Sequence, residues 1–116
     1  MYEHKHTAYM KKLVIPTLML ALVACGTSKV ASTFSQSDVD RGATKFSGLT
    51  LAALEKGKID SETYCVKCHG YKKPQGRTEE QWREIVPRMA KKANSGIDAQ
   101  TEQSILAYMV TMSKPN

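Results

Sequence analysis

The sequence predicts one all-α domain of about three to four helices, on three observations. Two segments carry helix-start signals around apolar residues spaced three and four apart: Thr78 before Glu79-Glu80-Gln81-Trp82, and Asp98 before the run Ile105-Leu106-Ala107-Tyr108-Met109. No stretch of useful length alternates apolar and polar residues in the manner of a half-buried strand. A chain of 116 residues holds one domain of ordinary size rather than two.

The elements follow in chain order. Lys11 and Lys12 precede a short apolar run, residues 13–24, which is too short for a transmembrane helix and suits an export signal. Met10, directly before the lysines, is the natural start of such a signal. Leu22-Val23-Ala24-Cys25 resembles the lipobox of bacterial lipoproteins, a resemblance that implies cleavage after Ala24 and a lipid on Cys25; the alternative is an ordinary secretory signal with an incidental cysteine. Several acyl chains on Cys25 would anchor the protein to a membrane. Gly26 permits outer-membrane sorting in an enteric-type bacterium, so inner and outer membrane both stay open. Removing residues 1–24 takes away Lys5, Lys11, Lys12 and Glu3, which lowers the formal charge of +6 to about +4. That surplus suits an acidic partner protein or a phospholipid surface and does not argue for nucleic acid.

Residues 25–48 are expected to be the lipidated cysteine and a tether, since 26–37 are rich in Ser and Thr without helical or strand period. Residues 38–48 are expected to be irregular or a short turn of helix. The domain proper is expected over 49–116. Thr50 caps a first helix carrying Leu51, Ala52 and Leu54, with Gly57 inside it or at its end, and 59–64 continue helically. A basic, turn-rich loop follows over 71–76. Thr78 and Gln81 form a capping box for the next helix, in which Trp82, Ile85, Val86 and Met89 make one apolar stripe. Pro87 is expected to kink or stop that helix just before Met89. Ile97 and Asp98 start a last helix, and Pro115 marks its end.

Between the first two helices lies Cys65-Val66-Lys67-Cys68-His69. The C-x-x-C-H pattern is the signature of covalent c-type haem attachment: each thiol can add to a vinyl group, and the short bracket brings His69 under the iron as an axial nitrogen ligand. Competing readings are a thioredoxin-like dithiol, a disulfide, and a zinc site. The first expects an α/β fold, and the last lacks ligands, because His4 and His6 precede the signal. One haem c accounts for Cys65 and Cys68, and lipid for Cys25, leaving no orphan thiol.

With these residues in hand, the stretch from about Leu49 to Met112 resembles a class I, monohaem cytochrome c. The resemblance rests on Glu55-Lys56-Gly57-Lys58 ahead of the motif and on Ile105-Leu106-Ala107-Tyr108-Met109 in the last helix. It implies that Gly57 meets Tyr108, and that a methionine from the region before the last helix is the distal iron ligand. Met89 holds that place in order, with Met109, Met112, Lys91 or an open position as alternatives and core packing as its other reading. The short interval from His69 to Met89 implies an exposed haem edge. Ser61 departs from the pattern, which places an aromatic four residues after the glycine; Tyr64 is the nearest aromatic to compensate.

The resemblance implies an electron carrier rather than an enzyme, with redox proteins as partners and no small-molecule substrate. Lys67, Lys72, Lys73 and Arg77 are candidates for a positive rim toward an acidic partner, or simply a solvated surface. The alternatives are a haem subunit of a larger membrane complex, or a five-coordinate haem that reacts with gases or peroxide.

Overall fold

A computed structural model describes residues 32–115. Among these residues four helices form: α1 (Gln36–Ala43), α2 (Leu51–Tyr64), α3 (Glu79–Ala90) and α4 (Ala99–Thr111). One turn of 3-10 helix covers Cys65–Lys67 and another Pro74–Gly76. The all-α expectation holds among these residues, where the only strand-like pairing is a bridge between Thr78 and Lys114. The export signal and Cys25 lie outside the described residues.

Local capping explains where three helices begin. The Thr50 hydroxyl accepts from the Ala53 amide at 3.1 Å, and Asp98 Oδ1 accepts from the Thr101 amide at 2.7 Å. Thr78 and Gln81 form the reciprocal capping box, with the Thr78 amide donating to Gln81 Oε1 at 3.0 Å. Each arrangement satisfies amides that the first turn leaves unpaired. Backbone bonds from Thr101 hold the Asp98 carboxyl below its usual range, which keeps the cap ionised.

The core is the seam where α4 crosses α2 and α3. Ile105, Met109 and Val110 on α4 and Leu54 on α2 are almost fully buried, and Trp82 and Val86 cover the other flank. Gly57 lies within α2, and the expected meeting with Tyr108 is present. A Cβ built at Gly57 would stand 2.4 Å from the Ser104 carbonyl oxygen and 2.6 Å from Tyr108 Cβ, so only glycine permits this crossing.

Three expectations are corrected. The stretch expected as a tether followed by irregular chain or a short turn of helix contains a packed helix, α1, that starts within the expected tether and buries Val39 and Gly42. A Cβ at Gly42 would meet Leu49 Cδ2 at 2.3 Å and Thr111 Oγ1 at 2.4 Å, so α1 packs tightly on the end of α4. The chain before it is clasped too: the Ser32 hydroxyl and the Thr33 amide donate to Glu55 Oε1 at 2.8 and 2.6 Å, and Phe34 meets Tyr108 edge-on at 5.7 Å between centroids. The packed unit therefore begins by Ser32. Its apolar anchors, Phe34, Val39 and Phe46, are too few to show a period within a polar segment.

Of the kink or stop expected at Pro87, the stop does not occur, since α3 runs on to Ala90. Proline removes the bond to the Arg83 carbonyl. Val86, next to the proline, remains packed in the core. Met89 is consequently in the last turn of α3 rather than in a loop beyond it.

Tyr64 does not take the place beside Ser61. It packs near Gly96, under the Lys67 ammonium at 4.4 Å from the ring centroid. Ser61 is fully buried and faces Tyr71, from the loop after the motif, with the two hydroxyls 3.5 Å apart. A loop aromatic thus covers the small helical residue.

Candidate functional site

A cavity of about 250 Å³ opens between the segment after α2, helix α3 and helix α4. Cys65 and His69 border it on one side. Trp82, Ile85, Val86 and Met89 form a second wall, and Ile97, Ile105 and Met109 close the floor and the far side. The apolar stripe read along α3 is this wall, since one face of a helix presents residues three and four apart to the same space.

The motif enters at the C-terminal end of α2. Cys65 is the C-cap, its amide donating to the Ser61 carbonyl, and the chain tightens into a 3-10 turn over Cys65–Lys67. Cys65 is half-buried and Cys68 exposed, and both are free thiols. Burial pushes the Cys65 thiol up from its ordinary value. The carbonyl end of a helix also disfavours a thiolate. Both effects oppose the activated thiolate of a thioredoxin-like dithiol, which needs a helix N-terminus or a nearby cation.

His69 Nδ1 stands 2.8 Å from the carbonyl oxygen of Gly70. A carbonyl can only accept, so Nδ1 carries a proton, and in the neutral ring the lone pair is then on Nε2. That is the tautomer a metal-binding imidazole needs, with the outer nitrogen held by the main chain.

The loop beyond is fixed at two points. Trp82 Nε1 donates to the Pro74 carbonyl at 2.8 Å, so the indole that walls the cavity also holds the Pro74–Gly76 turn. Nearer the histidine, the Tyr71 hydroxyl lies 3.3 Å from that of Tyr108. Desolvation and this contact raise the Tyr108 hydroxyl well above its ordinary range, so Tyr108 stays protonated.

Of the four cations read as a rim, Lys72 and Arg77 border the cavity. Lys67 lies over Tyr64, and Lys73 is exposed away from the cavity lining. Arg88, which was not read from the sequence, joins Lys72 and Arg77 at the mouth. Its place follows from α3 continuing through Pro87, one residue before Met89. Both Met89 and Met109 line the cavity; Met89 is half-buried and Met109 almost fully buried. Lys91 and Met112 are not in its lining. Among the described residues, no three His, Cys, Asp or Glu side chains converge as a metal-ion site.

The arrangement therefore joins a free imidazole nitrogen, two thioether sulfurs and a thiol on one apolar cavity with a basic mouth. Comparison with protein-family models, with curated proteins and with solved structures gives no match.

Proposed function

We propose that this chain is an electron-transfer protein for one haem c, which Cys65 and Cys68 would hold covalently and whose iron His69 and Met89 would ligate. The observation that carries the reading is the convergence of Cys65, His69 and Met89 on a single apolar cavity. The residues present fit the group. Trp82, Ile85, Val86 and Ile105 offer aromatic and aliphatic surface to a porphyrin face, and Lys72, Arg77 and Arg88 offer charge to its two carboxylates.

When bound, the haem supplies the ferric–ferrous couple. His69 presents Nε2 because the Gly70 carbonyl holds Nδ1–H. Met89 is favoured over Met109 because its place near the end of α3 leaves it half-buried, whereas Met109 is committed to the α4 core. Thioether ligation favours the reduced state relative to a second histidine. Trp82, Ile85, Val86, Ile97 and Ile105 make most of the wall apolar, and the charged side chains in the lining, Lys72, Arg77 and Arg88, are exposed.

The protein is further proposed to be held in the bacterial cell envelope by a lipid on Cys25, facing the periplasm. It would meet redox proteins, acidic or membrane-bound, through the basic mouth of the cavity. Among the described residues no helix is long and apolar enough to cross a membrane.

The test is the absorption spectrum of protein matured in a host that attaches c-type haem. Covalent haem with the weak far-red ferric band of sulfur-to-iron ligation, lost in Met89→Ala, is the expected result. Covalent haem without that band, together with carbon monoxide binding by the reduced protein at neutral pH, would replace Met89 by an open position. Absence of covalent haem would overturn the proposal.

A further inference from the structure

Tyr71 is two residues beyond His69, in a loop with little packing of its own. Gly70 is exposed, and a Cβ built there would meet nothing within 4 Å. Yet the Gly70 carbonyl is the group that fixes the His69 ring, at 2.8 Å from Nδ1. Something other than Gly70 must hold that carbonyl in place.

The hydroxyls around Tyr71 provide the hold. Ser61 Oγ donates to the Lys58 carbonyl at 2.8 Å and so can accept from Tyr71, 3.5 Å away. Tyr71 in turn can accept from Tyr108 at 3.3 Å. One direction, from Tyr108 through Tyr71 and Ser61 to the α2 backbone, uses each hydroxyl once as donor. The two ends are rigid: Ser61 is fully buried, and Tyr108 is pinned at the Gly57 crossing. The oxygen separations are longer than the usual 2.5–3.0 Å for hydroxyl pairs, so each link is weak and the chain acts as a set.

We propose that Tyr71 is a positioning residue for the axial histidine: its hydroxyl ties the loop to the α2–α4 seam and thereby keeps the Gly70 carbonyl on His69 Nδ1. This rests on the haem reading above. A carbonyl on the outer nitrogen makes the imidazole a stronger donor, which favours the ferric state. Loosening it weakens donation and moves the reduction potential upward.

The test uses haem-loaded Tyr71→Phe and Tyr108→Phe, each keeping its ring and losing one hydroxyl. Expected are a raised midpoint potential and faster displacement of the sixth ligand by added imidazole. The amides of residues 70–73 should exchange faster in both variants, and the double variant should add little to either single one. Thr50→Ala, a helix-cap loss remote from the cavity, should lower thermal stability without moving the potential or the imidazole rate. If Tyr71→Phe lowers stability but leaves potential and exchange at the wild-type values, the positioning role is overturned while the haem reading stands. If the wild-type chain takes up no covalent haem, both fall together.

Discussion

Trp82 donates its indole N–H to the carbonyl of Pro74 at 2.8 Å, and by that bond the inner wall of the cavity and the loop leaving the cysteine motif become one structure. Both residues are buried, so neither end of the bond has water as a substitute. Replacing Trp82 by Phe keeps an aromatic wall and leaves the Pro74 carbonyl with only the Arg77 amide, at 3.3 Å, as donor. The expected cost of the lost bond is about 0.5–1.5 kcal/mol, read by urea unfolding.

Gly57 and Gly76 make opposite predictions for the same change. Gly57→Ala puts a methyl 2.4 Å from the Ser104 carbonyl oxygen and forces α2 and α4 apart, at an expected cost of about 1–3 kcal/mol or more. At Gly76 a Cβ meets nothing within 4 Å, and Gly76→Ala should change stability by no more than about 0.5 kcal/mol. Thermal unfolding of the two variants side by side checks the crossing.

The clasp at Glu55 should open in acid. Hydrogen bonds from Ser32 and Thr33, with Lys58 nearby, hold its folded value below the ordinary 4.5. A lowered carboxyl stabilises the folded state above its unfolded value and loses that contribution as pH falls through the folded one. Asp38 in α1 is lowered as well, by bonds from Ser35 and then Arg41, so the measurement belongs in an Asp38→Asn background. There, amide exchange at Val39, corrected for its intrinsic rate, should rise as pH falls below 4.5. In Glu55→Ala it should already be fast at neutral pH and stay insensitive.

Met89→Leu and Met109→Leu separate the two sulfurs of the cavity. Both swaps nearly conserve volume and should each cost less than about 1.5 kcal/mol. Only Met89→Leu should abolish the far-red ferric band; loss of the band in Met109→Leu alone would reassign the distal ligand to α4.

Removing haem should loosen the fold. The cavity wall and floor are apolar, and a domain of this size has little other core with which to compensate. Calorimetry of haem-free protein should show a broad, weak transition; one as cooperative and as high as that of the loaded form would refute the dependence.

Much of this domain was legible because much of it is local. Thr78 bonds to a residue three positions on, as do Thr50 and Asp98, so three helix starts are written in four-residue windows. The stripe from Trp82 to Met89 is one helical face, and the C-x-x-C-H motif is continuous in the chain. Gly57 against Tyr108 reaches across the sequence, and was legible only through the resemblance.

The remainder depends on contacts that no short window contains. α1 exists where the sequence suggests a tether because Val39 is buried and Gly42 lies directly against Thr111 of α4, while Lys45 and Phe46 just beyond it reach Glu79 and Arg83 of α3. α3 passes through Pro87 because tertiary packing on both sides outweighs one lost backbone bond. Tyr71 rather than Tyr64 covers Ser61, since a loop residue is placed by where the chain returns and not by spacing along a helix. By itself the sequence determined the helix starts, the apolar faces and the donor residues, which are set by bonds and periods a few residues long. The tertiary structure decided which donors share a cavity and what holds them, because those contacts depend on how the helices cross.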